Sequence, residues 1–293
     1  MSGRLRWEIE GRDWPHRAAS RFVAAGGLDW HVQVMGSGPT VLLLHGTGST
    51  THSWRGVMPL LAQRMAVIAI DLPGHGFTRG RVPGGPSLPG MARAIRRLLA
   101  ALGEEPALLV GHSAGAAIAL ELARETPVPV AGFGAALMPF PGLAARLFPA
   151  LAKLVFVNPF APALFARIAR QSGETARFLT RATESHIDPA GLRCYETVLG
   201  NSEHCAGALA MMANWDLAGL RDRLPRIAAP VVLAHGSRDP AIPLHTVEDA
   251  VRLLPDCTLE IMEGLGHLAH EERPAAAADL VLRIAASHAM AGP

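Results

Sequence analysis

Apolar positions along this chain fall into two regular patterns. Short, continuous apolar runs occupy residues 40–44 (TVLLL), 65–70 (MAVIAI), 107–110 (ALLV) and 230–234 (PVVLA). Runs of this length are too brief for helices and match strands buried on both faces of a sheet. Residues 128–135 and 258–262 (TLEIM) read as two further strands, and alternation over 21–25 and 28–35 around Gly26 and Gly27 predicts a hairpin. Between these runs the period changes to that of a helix. Residues 88–102 place Arg93, Arg96 and Arg97 on the face opposite the apolar one. Residues 114–124 are alanine-rich and apolar nearly all round, which predicts a buried helix, and 244–254 and 275–286 complete the helical set. Strands alternating with helices imply an α/β fold: a mostly parallel sheet covered by helices on both faces.

The rhythm breaks between residues 139 and 224, where no strand pattern is evident and short helical stretches are separated by Pro and Gly. This segment predicts a helical cap inserted between two parts of one core, 1–138 and 225–293, with residues 1–20 as an N-terminal extension. The first half of the cap is rich in Phe and Leu, including Phe140, Leu147 and Phe148. Such a surface suits a large apolar ligand, or equally an underside packed on the core.

Composition narrows the function. At 49% hydrophobic and 18% charged residues, disorder is excluded, and a formal charge of +2 without a basic run argues against nucleic acid. The three cysteines form no CxxC pair and their odd number leaves a free thiol, which fits a reducing compartment, the cytoplasm. The charged N-terminus lacks the apolar core of a signal peptide. The uncharged stretch 126–145 is long enough for a bilayer. However, Pro127, Pro129, Pro139 and Pro141 interrupt it, so a buried strand and loop are expected in place of a membrane span.

The chemistry centres on Gly111, His112, Ser113, Ala114 and Gly115, a G-x-S-x-G placed between a predicted strand and a predicted helix. In that setting a sharp turn exposes the serine hydroxyl above the sheet, with glycines where strand and helix pass too close for a side chain. Ser113 is the expected nucleophile. It needs a base, and His267, in a glycine-flanked loop after the last strand, is the expected one, with His270 as competitor. Asp239 follows the strand ending in PVVLA and is the expected acid, although an Asp before Pro240 also suits an ordinary turn. The backbone N–H groups of Ala114 and of Thr47, in the loop His45-Gly46-Thr47-Gly48, are the expected oxyanion donors. Asp71 also ends a strand; shaping its own loop is its expected role, with a reactive acid as the rival. His267 and His270 lack a third ligand, so no metal is expected.

Together, the motifs HGTG, DLPGHG, GHSAG, HGSRDP and GLGHLAHEERP resemble the α/β-hydrolase superfamily over nearly the whole chain. That resemblance implies a sheet of about eight strands, a helical cap and no cofactor. Further stretches, among them WPHR near the N-terminus, HSW at 52–54, ALMPF at 136–140 and MMANWDL at 211–217, are similar to the BchO-type magnesium-chelatase accessory proteins of bacteriochlorophyll biosynthesis. This similarity implies a role near magnesium insertion into a porphyrin, with magnesium chelatase as partner, but supplies no reaction. Trp54, Phe140, Met211, Met212 and Trp215 are the expected contacts for a bulky apolar substrate, a tetrapyrrole being a suitable one. Three functions stay open: a serine hydrolase acting on an ester-like bond, a non-catalytic tetrapyrrole-binding accessory protein, and other chemistry of the same residues such as C–C hydrolysis or cofactor-free perhydrolysis.

Overall fold

The structure, a computed structural model, describes residues 3–139, 158 and 160–290. The chain opens with the hairpin β1 (Ser20–Ala25) and β2 (Leu28–Met35), turned by Gly26 and Gly27 at φ 60° and 83°. Positive φ at both central residues gives the turn whose twist matches the flanking strands. The uniformly apolar segments then form β3 (Thr40–Leu44), β4 (Ala66–Ile70), β6 (Leu108–His112), β7 (Val130–Phe133) and β8 (Val231–Gly236). The last strand is β9 (Cys257–Met262). They assemble in the order β1-β2-β4-β3-β6-β7-β8-β9, with parallel pairing from β4 through β9 and antiparallel pairing at β2. A ninth strand, β5 (Arg79–Gly80), pairs with β2 off this path. The expectation of eight strands missed it because two residues carry no readable period.

Successive residues of each central strand point to opposite faces. Leu42 and Leu44 join one core cluster with α2 (Leu88–Leu102) and α3 (Ala114–Ala123). Val41 and Leu43 join the other, with α1 (Met58–Leu61) and the C-terminal helix Pro274–Met290. Both faces are therefore covered, which explains why these strands read as continuous apolar runs. Ser87 caps α2 by accepting from Gly90 N–H, and Gly103 ends it at φ 69°.

Between β7 and β8 the described chain forms five α-helices: Ala161–Ala169, Glu174–Thr183, Pro189–Leu199, Ser202–Ala213 and Leu217–Arg221. Three of them are capped by side chains that accept first-turn N–H groups: Asp188, Asn201 and Asp216. Phe140, Leu147 and Phe148 lie outside the described residues. No helix among the described residues is long and apolar enough to cross a membrane. Cys194, Cys205 and Cys257 are all free thiols.

Glycine is required where β6 meets α3. A Cβ on Gly111 would lie 2.4 Å from Ala116 N, and one on Gly115 would lie 2.2 Å from the carbonyl oxygen of Leu44. Both obstacles are backbone and cannot rotate away. Gly115→Ala is therefore expected to destabilise the protein by about 3 kcal/mol or more, read as a fall in the urea midpoint at unchanged slope.

Candidate active site

Ser113 sits between β6 and α3 at φ 52°, ψ −115°. A non-glycine residue held there is strained, and such strain concentrates at functional sites. Its backbone is over-determined: Ser113 N–H donates to Phe133 O at 2.9 Å, and Ala116 and Ala136 N–H donate to Ser113 O. The hydroxyl is thus carried at the C-terminal edge of the sheet, next to the end of β7.

Asp239, expected either as a turn former or as an acid, makes the contacts that each of these would need. One carboxylate oxygen accepts from Ala241 N–H at 2.8 Å and Ile242 N–H at 3.0 Å, which is the turn. The other accepts from His267 Nδ1 at 2.7 Å. A carboxylate can only accept here, so Nδ1 carries the proton and Nε2 presents its lone pair outward. His270 makes no such contact. It stacks on Trp54 and His112, neither ring nitrogen has a partner among the described residues, and burial pushes its pKa down to about 3.

The His267 ring is set beside the elbow from two sides. His112 donates from Nε2 to His267 O at 3.1 Å, and the two rings lie 4.7 Å apart. On the other side is Gly134 at φ 50°, where a Cβ would come 2.9 Å from His267 Nδ1. Among the described residues Ser113 Oγ makes no hydrogen bond. Catalytic contacts of this kind commonly tighten only when substrate binds.

The loop after β3 is held by His45. Its Nδ1–H donates to Gly46 O at 2.7 Å, and its Nε2 accepts from Leu72 N–H at 2.9 Å. Burial lowers its pKa to about 4, in keeping with this neutral tautomer. The N–H groups of Thr47 and Ala114 donate to no acceptor among the described residues, and Thr47 Oγ1 lies 3.8 Å from Met211 Sδ. His204, in helix Ser202–Ala213, accepts from Gly76 N–H and donates to Gly48 O, which pins the inserted helices to this loop.

Asp71 is wholly buried and accepts from Thr51 N–H, Phe77 N–H and His31 Nδ1, contacts that drive its pKa far down against the opposing effect of burial. It organises loops and faces no open surface. Among the described residues, no three His, Cys, Asp or Glu side chains converge on a common point.

The expected substrate contacts fare unevenly. Trp54 is fully buried between Phe133 and His270, beneath the surface of the described residues. Its apolar size was legible in the sequence, but its depth was not. Met211 is also buried, with Thr47 Oγ1 3.8 Å from its Sδ. Met212 and Trp215 are half-buried, Trp215 against the core, and Phe140 lies outside the described residues.

Two groups of residues near the site escaped the sequence analysis. Thr183 O accepts from His267 N–H at 2.8 Å, and Ser185 Oγ accepts from Leu268 N–H at 2.9 Å, so the inserted segment holds the histidine loop. Tyr195, the chain's only tyrosine, donates to Glu271 at 2.6 Å, and Arg55 bridges Glu271 to Asp188. Burial raises the Glu271 pKa to about 7 despite Arg55 beside it. The lone tyrosine was the one available signal.

The strand order, the elbow and the histidine loop define an α/β hydrolase. The family model for the alpha/beta hydrolase fold matches residues 39–274, and the chain belongs to that family. Among known proteins it is 43% identical to the magnesium-chelatase 30 kDa subunit of Rhodobacter capsulatus, over 88% of this chain and 92% of that one. It is 32% identical to a pimeloyl-[acyl-carrier protein] methyl ester esterase of Aromatoleum aromaticum, over 84% of this chain and 98% of the other. The epoxide hydrolase CorEH shares the fold, with a TM-score of 0.77 at 22% identity over 92% of this chain and 98% of that one.

Proposed function

We propose that this protein is a serine hydrolase that cleaves an ester-like bond in a bulky apolar substrate, at or near the magnesium-chelatase step of bacteriochlorophyll biosynthesis. The observation that carries the chemistry is the 2.7 Å bond from His267 to Asp239 on a loop packed against the strained Ser113 elbow. Ser113 Oγ attacks the carbonyl carbon while His267 Nε2 takes its proton. Asp239 holds the imidazole in the required tautomer and stabilises its charged form. The N–H groups of Thr47 and Ala114 receive the negative charge that develops on the carbonyl oxygen. His267 then protonates the leaving alcohol, and water, deprotonated by the same imidazole, releases the acid and restores Ser113. No cofactor enters this scheme.

The pathway assignment rests on the Rhodobacter capsulatus relative. In this reading residues 139–224 form a cap over the site, between core parts 1–138 and 225–293. Phe140, Met212 and Trp215 contact the substrate, and the protein is cytoplasmic. The relative's designation as a chelatase subunit favours a second reading, in which the protein binds a tetrapyrrole for magnesium chelatase without reacting with it. Ser113, His267 and Asp239 would also serve C–C hydrolysis or perhydrolysis.

A fluorophosphonate probe distinguishes these functions. Covalent labelling of the wild type at Ser113, slowed by added protoporphyrin IX, is the result expected for a hydrolase with a porphyrin-sized site. A folded wild type that the probe leaves unlabelled would instead support the carrier. In a strain lacking the protein, pigment restored by Ser113→Ala would do the same.

A further inference from the structure

The first two described helices after β7 present an apolar surface to solvent. Phe160 is 77% exposed, Leu164 59%, Phe165 51% and Ile168 42%, and Phe178, on the next helix, is 59% exposed. The four-residue spacing of Phe160, Leu164 and Ile168 aligns them in one stripe, while Pro162 and Ala166 turn inward. Basic groups flank the apolar ones. Arg167 follows Leu164 by three residues and Arg181 follows Phe178 by three, so each lies beside an apolar anchor. Both are exposed and have no ion pair or hydrogen bond among the described residues. Residues 160–183 hold four arginines against one glutamate, a net of +3 (4 − 1).

We propose that this face, where an aromatic and aliphatic stripe adjoins unpaired arginines, docks the protein peripherally on an anionic lipid surface. Size favours lipid over protein. The five side chains expose roughly 500 Å² between them, within the range of a functional patch. A stable protein interface takes about 800 Å² from each partner. Short helices with buried aromatics and headgroup-pairing arginines instead suit the bilayer boundary, where apolar burial and attraction to anionic lipid act together. The proposal is independent of the chemistry at Ser113.

Sedimentation of the full-length protein with vesicles tests it. Vesicles of phosphatidylcholine containing phosphatidylglycerol should retain the protein, added salt should release it, and vesicles of phosphatidylcholine alone should bind it weakly. Neutralising Arg167→Gln and Arg181→Gln together should weaken retention about 30-fold. Phe160→Ser with Phe178→Ser should abolish it, whereas Arg93→Gln, on α2, should change nothing. Thermal melts followed by circular dichroism establish that each variant is folded. Absent retention on anionic vesicles, or retention equal in all variants, would overturn the proposal. So would a dimer that the patch substitutions dissociate without altering lipid binding, since a second copy would then own the surface.

Discussion

Ser113→Ala is expected to lower hydrolysis of an activated ester by about 10⁴-fold or more, with no comparable loss of stability. The side chain removed makes no hydrogen bond among the described residues, and its backbone is held by Phe133, Ala116 and Ala136 regardless of the hydroxyl. Removing Oγ therefore deletes the nucleophile and little else. His267→Gln should match this loss and should not add to it in the double variant, because nucleophile and base act as one unit. His270→Gln separates the two candidates for the base. His270 is buried, neutral and without a carboxylate partner, so its replacement should perturb packing against Trp54 and His112 and lower the melting temperature. Steady-state rates on a p-nitrophenyl ester, paired with melting curves, give both readouts. A His270→Gln variant as inactive as His267→Gln, yet fully folded, would reassign the base.

A second large effect is expected from acid. His45 and His204 are held at pKa values of about 4 and His270 at about 3, with burial the main cause in each, and His52, His75 and His112 are also driven down. Their value in the unfolded chain is about 6.5. The unfolded state thus binds protons first, and stability is lost as pH falls from 6.5 toward 4. Each of the first three contributes about 2 kcal/mol of loss by pH 5. Glu271 works the opposite way. Its folded pKa of about 7 lies above its unfolded value, so it contributes stability as pH falls through 7 and offsets roughly one histidine. His45, His204 and His270 less Glu271 leave a loss of about 4 kcal/mol between pH 7 and pH 5, to which His52, His75 and His112 add, so the melting temperature should fall by about 10 °C or more. Scanning calorimetry across that range checks it, and a flat profile would contradict the buried neutral state of these rings.

Much of this architecture was legible in the sequence because the relevant forces are local. The apolar runs at 40–44 and 65–70 announce strands buried on both faces, and Gly111 and Gly115 announce the close approach of β6 and α3. The sequence pointed to His267 in the glycine-containing loop after β9 and to Asp239 after β8, and the structure brings these two side chains together. Depth and long-range pairing were not legible. Trp54 is legible in sequence as a large aromatic, but its full burial beside His270 is not. Nothing near Thr183 or Ser185 in the chain points to residue 267, since the bond between them depends on how the inserted helices settle on the core. The bond from Asp71 to His31 spans 40 positions and is likewise invisible to any local pattern.

The hydrogen bonds from His267 and Leu268 to Thr183 and Ser185 bear on how proteins of this kind can diversify. Caps are often treated as interchangeable modules that tune specificity while a constant core supplies reactivity. Here the segment between β7 and β8 is bonded directly to the loop that carries His267. A chimera that grafts a relative's cap onto this core would have to keep the 183–185 turn, or supply its equivalent, to leave the His267 loop held as it is here. If the proposed function holds, a change in this segment would reach substrate range and reaction rate together, through the two hydrogen bonds that Thr183 and Ser185 accept.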